Sequence, residues 1–230
     1  EGELMAIALA LKAEGRGVLQ FVTDIAQKQE EGEAEFAMLR RLVQRSGRPM
    51  SLNITQREKD PDGWRRLMRM VQQAHADGLD IKGQVMGRAI GLMLGFELTE
   101  HPFSHHPSYQ AIARLPFGER IERLRDPALR ACLLNEQPDD ADFAGRSGDF
   151  DKLFAMGPVP DYEPLPYDSI AARAAREGMA PAALAYDLML AGGEGTGILY
   201  RPLLNYANGS LEDVREMMEH PLTVPGIADG

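Results

Sequence analysis

The sequence predicts an α/β fold with parallel strands, and three observations carry that prediction. Helix-patterned segments alternate with short apolar strands. Glycines stop the helices at 15, 47 and 78, about one βα unit apart. Helix then strand at that period implies parallel strands joined by right-handed crossovers.

The elements follow in order. Residues 3–14 place Leu4, Ile7, Ala8 and Leu11 at helical spacing, Gly15-Arg16-Gly17 ends that helix, and Val18–Val22 reads as a strand. Residues 33–46 repeat the pattern with Phe36, Leu39, Leu42 and Val43, followed by Gly47-Arg48-Pro49 and a strand over 50–55. Asp60-Pro61 caps a third helix through Trp64, Leu67, Met68, Val71 and His75. Asp77-Gly78 ends it, and a strand runs over 79–86. The beat then breaks. Residues 87–165 hold loop-like runs and short helices at 117–125 and 127–135, and close on the proline-rich stretch 156–166, which together read as a long, mostly helical insertion after a strand. Helical patterning resumes at 168–177, 181–191, 198–205 and 210–219, and a last strand occupies 222–227. Four strands of this kind make part of a TIM-type (β/α)8 barrel, about four βα units, in one incomplete domain spanning 1–230.

Composition narrows the function classes. At 44% hydrophobic and 26% charged, the 230 residues can bury a core, so disorder is excluded. The 35 acidic against 25 basic side chains give a net charge of -10, which opposes a phosphate-neutralising nucleic-acid surface. The longest apolar stretch, 89–96, is far shorter than the roughly 20 residues of a membrane helix. One cysteine, Cys132, rules out an intrachain disulfide and fits a reducing, cytoplasmic location. Self-association into a homo-oligomer stays open.

In a parallel sheet the chemistry gathers at the C-terminal strand ends. That singles out Gln20 to Asp24, Asn53 to Gln56, Gln84 to Arg88, and Asp229. Polar residues inside apolar strands need partners, so Asn53, Thr55, Gln56 and Gln84 are either satisfied internally or line a polar substrate pocket. The Arg88 guanidinium suits bidentate pairing with a substrate carboxylate or a structural ion pair. Asp229 is able to ligate a divalent metal and to accept a proton from water, although Asp229-Gly230 is also a turn signal. His101, His105 and His106 are candidate ligands without the helical spacing of a metalloprotease. His75 reads as structural, and His220 as a helix C-terminal residue suited to the dipole. The run 192–197 lacks the Lys-Ser or Lys-Thr of a phosphate loop and reads as a flexible connection.

These pieces taken together form a recognisable combination. The helix leading into Gly15–Gln20, Ser46–Ser51, Gln84–Arg88, His101-Pro102-Phe103, Asp161–Pro164, Asn205-Tyr206 and Gly226–Gly230 resembles the N-acyl-D-amino-acid deacylase branch of the amidohydrolase superfamily. The resemblance runs over nearly the whole chain. It implies a distorted (β/α)8 barrel with a small β domain, of which this stretch supplies strands five to eight, and hydrolysis of a linear amide by metal-activated water. Zinc is the expected metal, and an N-acyl (D-)amino acid the expected substrate. By position, Asp229 is the last-strand aspartate that binds the metal or shuttles the proton. Arg88, Asn53, Gln56 and Gln84 then orient substrate. The family's histidine ligands at the fifth and sixth strand ends are not found in Gln20–Asp24 or Ser51–Gln56. Opening of a cyclic amide, other chemistry on the same barrel, and a non-catalytic binding module remain the alternatives. With half of the barrel outside it, the 230-residue stretch alone is expected to be inactive.

Overall fold

The computed structural model describes residues 1–27, 29–140 and 147–226. The chain divides into two compact units, one of 1–90 with 203–230 and the other of 91–202.

The first unit is built on the predicted βα rhythm. Helix α1 (Gly2–Glu14) ends where Gly15 takes a left-handed conformation at φ 68°, a position glycine occupies without a Cβ clash. Strand β1 (Leu19–Phe21), helix α2 (Gln29–Ser46), strand β2 (Met50–Asn53), helix α3 (Gly63–Ala76) and strand β3 (Ile81–Val85) follow. Helix α9 (Glu212–Glu219) and strand β7 (Thr223–Pro225) complete the unit. Its four strands pair in parallel in the order β1-β2-β3-β7, which is consistent with part of an α/β barrel.

Helix α3 starts later than its expected cap. Asp62, not Asp60, is the residue before the helix. Asp60 instead closes a turn with Arg57 and pairs its carboxylate with Arg66, which holds that carboxyl below its ordinary pKa.

Alternation along the strands sorts the side chains by face. Leu19, Met50, Leu52, Ile54, Ile81 and Val85 share one core with Ala8, Phe36, Leu39, Leu42, Leu67, Val71, Val214 and Met217 from the helices. Gln20, Ser51, Asn53, Lys82 and Gln84 occupy the alternate positions. Gln20 and Lys82 are exposed, Gln84 is half-buried, and Ser51 and Asn53 are buried. Gly83 keeps the apolar side close-packed, since a Cβ there would overlap Ile54 Cδ1.

The second unit differs from the expected helical insertion in containing a sheet. Strands β4 (Ile90–Leu94), β5 (Phe154–Met156) and β6 (Ile198–Leu204) form it in the order β4-β6-β5. Residues 198–205, read from the sequence as helical, are therefore mostly β6. The correction has a local cause: Pro202 breaks a helix interior, whereas the antiparallel register with β5 uses only Ile198 to Tyr200 and leaves the proline beyond it. Close approach to β6 also explains Gly91, where a Cβ would lie 2.5 Å from the Arg201 carbonyl oxygen. The helices α4 (Pro107–Gln110), α5 (Phe117–Leu124), α6 (Pro127–Asn135), α7 (Ile170–Glu177) and α8 (Pro181–Leu190) belong to this unit. Of these, α5 to α8 fall on segments predicted to be helical. The glycine-rich run continues α8 as a π-type turn over Ala191–Gly195. The core gathers Leu94, Phe96, Phe103, Leu124, Ile170, Tyr186, Met189 and Leu199, and the Tyr186 hydroxyl donates to the Leu124 carbonyl at 2.6 Å. Among the described residues, no helix is long and apolar enough to cross a membrane.

Leu52 is fully buried among helix side chains, so Leu52→Ala is expected to lower the unfolding free energy by about 2–5 kcal/mol, measured by urea denaturation.

Candidate functional site

Parallel pairing brings the strand ends together. The register Phe21↔Leu52, Asn53↔Gln84 and Val85↔Pro225 places the C-terminal ends of β1, β2, β3 and β7 on one rim. The Gly226 N–H extends the last pairing by donating to the Val85 carbonyl at 3.0 Å. The predicted residues 53, 56, 84 and 88 all lie at or just below this rim. Asp229 lies outside the described residues.

Each predicted polar residue has a distinct environment. Asn53 ends β2, and both of its amide atoms bind the main chain of Thr23 in the loop after β1. Its Oδ1 accepts the Thr23 N–H at 2.5 Å, and its Nδ2 donates to the Thr23 carbonyl at 3.3 Å. Gln84 spans the polar face of the sheet. It accepts from Gln20 Nε2 at 3.0 Å and donates to Ser51 Oγ at 3.0 Å, so one side-chain ladder crosses β1, β2 and β3. Arg88 is exposed, three residues past the end of β3.

Gln56 is fully buried and bound on every side. Its N–H donates to Asn205 Oδ1 and its carbonyl accepts the Asn205 N–H, both at 2.9 Å. Its side-chain Oε1 accepts the Ala207 N–H at 2.9 Å, and its Nε2 donates to Asp213 Oδ2 at 2.5 Å. Asp213 also accepts from Asn208 Nδ2 at 2.9 Å and from Arg65 Nη2 at 2.8 Å. Arg65 pairs in addition with Glu216, and that bond raises the guanidinium pKa. The loop after β2 is thus tied to the loop that enters α9. Asn205, the non-glycine residue with positive φ (64°) among the described residues, sits at the centre of this knot. Asp213 was not among the sequence candidates, whereas Asn205 belongs to the stretch Leu199–Tyr206, whose aromatic and amide groups read from the sequence as bordering the pocket or packing the insertion. The left-handed position itself suits an asparagine.

The histidine trio does not converge on a metal. His101 is buried, accepts the Phe103 N–H on Nδ1 at 3.1 Å, and packs edge-on to Phe96 and Tyr109 with ring centroids 4.8 and 4.2 Å away. Burial lowers its pKa to about 3, so the ring is neutral at pH 7. His105 Nε2 lies 3.8 Å from Glu100 Oε2, and His106 precedes α4, its pKa lowered chiefly by burial. Among the described residues there is no cluster of three or more His, Cys, Asp or Glu side chains suited to a metal. Among the described residues, the ladder of Gln20, Ser51 and Gln84 consists of amides and a hydroxyl, and the Asp213 carboxylate is already held by Gln56, Asn208 and Arg65, so neither makes a zinc donor set. His220 uses Nδ1 to accept the Leu222 N–H at 3.1 Å, shaping the turn into β7.

The profile of the Amidohydrolase family matches residues 1–230. Neither the curated proteins nor the solved structures that were searched yielded a match.

Two outcomes are expected from this geometry. Gln56→Ala leaves Ala207 N–H and Asp213 short of a partner, at about 1–3 kcal/mol for each buried group left unpaired, readable as a shift in denaturation midpoint. His101 stays neutral when folded but takes a proton below about pH 6.5 when unfolded. It therefore favours the folded state fully above pH 6.5, and that contribution is lost as pH falls from about 6.5 to about 3. The slope that His101 adds approaches about 1.4 kcal/mol per pH unit well below pH 6.5, and stability should fall less steeply in His101→Phe when unfolding is followed at pH 7, 6 and 5.

Proposed function

The chain belongs to the amidohydrolase family, and from that membership we propose that it works as a hydrolase of a linear amide, that of an N-acyl (D-)amino acid. Family membership supports the hydrolase; the substrate class follows from the resemblance to the N-acyl-D-amino-acid deacylase branch. The observation that carries it is the parallel register, which collects Gln84, the Arg88 turn and the strand leading to Asp229 at one end of the sheet. Such ends are where α/β sheets hold their ligands.

In this reading a water molecule attacks the amide carbon and its proton passes to the Asp229 carboxylate. Asp229 then returns that proton to the departing nitrogen as the carbon–nitrogen bond breaks, giving a carboxylic acid and an amine. Arg88 pairs with the substrate carboxylate, which fixes the amide relative to Asp229. Gln84 is a hydrogen-bonding surface for the substrate on the polar face. Asn53 and Gln56 act one step back, because their amides already hold the main chain of the rim loops. A divalent cation, with zinc as the expected ion and Asp229 as one ligand, belongs to the same proposal. The described residues supply no set of ligands for it, so no step is assigned to it.

Asp229→Asn in the full-length enzyme is expected to lower kcat by about 10²–10⁴-fold, measured on a panel of N-acyl D- and L-amino acids and cyclic imides, with the metal content of the parent determined in parallel. Parent-like turnover in that variant would remove Asp229 from the mechanism. Turnover confined to the cyclic imides would replace the linear substrate by a ring.

A further inference from the structure

We propose that Asn205 is a positioning residue for the Arg88 turn, and that through it the enzyme sets its affinity for the carboxylate of its substrate. The inference rests on the role given to Arg88 above. Asn205 is fully buried and holds a left-handed backbone conformation. Its main-chain N–H and its side-chain Oδ1 are both committed to Gln56 at 2.9 Å, which fixes the orientation of the side-chain amide. With Oδ1 turned to the β2 loop, Nδ2 faces the β3 loop, 3.4 Å from the Met86 carbonyl and 3.5 Å from the Arg88 carbonyl. One side chain therefore touches the loops after two neighbouring strands.

The contacts to the β3 loop are long, but they are the partners this buried amide nitrogen has. They fall on the main chain at both ends of Met86-Gly87-Arg88. Gly87 lies between them without a side chain of its own to brace the turn, and a Cβ there would come within 3.1 Å of Met218 Sδ. Asn205 thus contacts the main chain on both sides of Gly87, next to the exposed residue Arg88.

Three substitutions in the full-length enzyme test this. Asn205→Gly keeps the left-handed backbone accessible and removes both sets of side-chain bonds. Asn205→Asp keeps the acceptor for the Gln56 N–H but sets an oxygen against the Met86 and Arg88 carbonyls, so it isolates the contacts to the β3 loop. Arg88→Ala reports the reference loss. Both Asn205 variants are expected to raise KM for an N-acyl amino acid about tenfold with kcat within about threefold, and to leave KM for the matching amide without a carboxylate unchanged. Combining either with Arg88→Ala should add nothing further. Limited trypsin digestion gives a second readout independent of activity: cleavage after Arg88 should quicken in Asn205→Asp relative to cleavage after the exposed Arg16. A raised KM in Arg88→Ala with parent-like KM and cleavage in Asn205→Asp would overturn the positioning role alone. Parent-like KM in Arg88→Ala would overturn the role of Arg88 and this inference with it.

Discussion

The apolar positions of the parallel strands in the first unit all turn to the helices, and much else follows from that constraint. Strands of a parallel sheet are ordinarily apolar on both faces because helices cover both. Here the apolar positions, Leu19, Met50, Leu52, Ile54, Ile81 and Val85, all turn toward α1, α2, α3 and α9, where each buried side chain contributes about 1.5–3 kcal/mol. The alternate positions are then free to be polar. Gln20, Ser51 and Gln84 use that freedom to link three strands through their side chains, and Asn53 uses it to fasten the loop beyond β1. The same alternation that builds the core thus furnishes the polar surface on which the proposed chemistry depends.

Above that sheet, a second constraint is the buried polar knot of Gln56, Asn205 and Asp213, closed by the half-buried Arg65. Buried amides and carboxylates are tolerated when each finds its partners, and these do: Asp213 alone accepts from three side chains. The knot lies at the start of α9, whose C-terminal end turns through His220 into β7. The placement of the last strand therefore inherits the geometry of the loop after β2, although more than a hundred residues separate them in the sequence.

The parts of this organisation that were legible in the sequence are those governed by local periodicity. Leu39, Leu42 and Val43 at helical spacing, and Met50, Leu52 and Ile54 at alternate positions, state their own elements. Strand β6 was not legible because Ile198–Leu204 is apolar at nearly every position, so neither period dominates, and its strand state is set by partners about forty-five residues away in β5. The rim was legible as a location, since parallel strands end together. The use made of each residue there was not. Gln56 and Gln84 look alike in sequence, yet one is locked in a buried network and the other spans a half-buried sheet face, a difference created by Asn205 and Asp213 from a distant segment. The histidine trio was ambiguous for a related reason: His101 faces aromatic rings that only the folded second unit assembles.

Gly83 carries a consequence for how relatives of this chain would diverge. The room that a methyl group would need at that position is taken by the end of the Ile54 side chain on the neighbouring strand, with Thr223 Cγ2 at 3.3 Å on the other side. Side-chain volume in this stretch of the sheet is consequently shared among three positions. A larger residue at 83 demands a smaller one at 54, and drift at these sites is expected to proceed in compensated pairs.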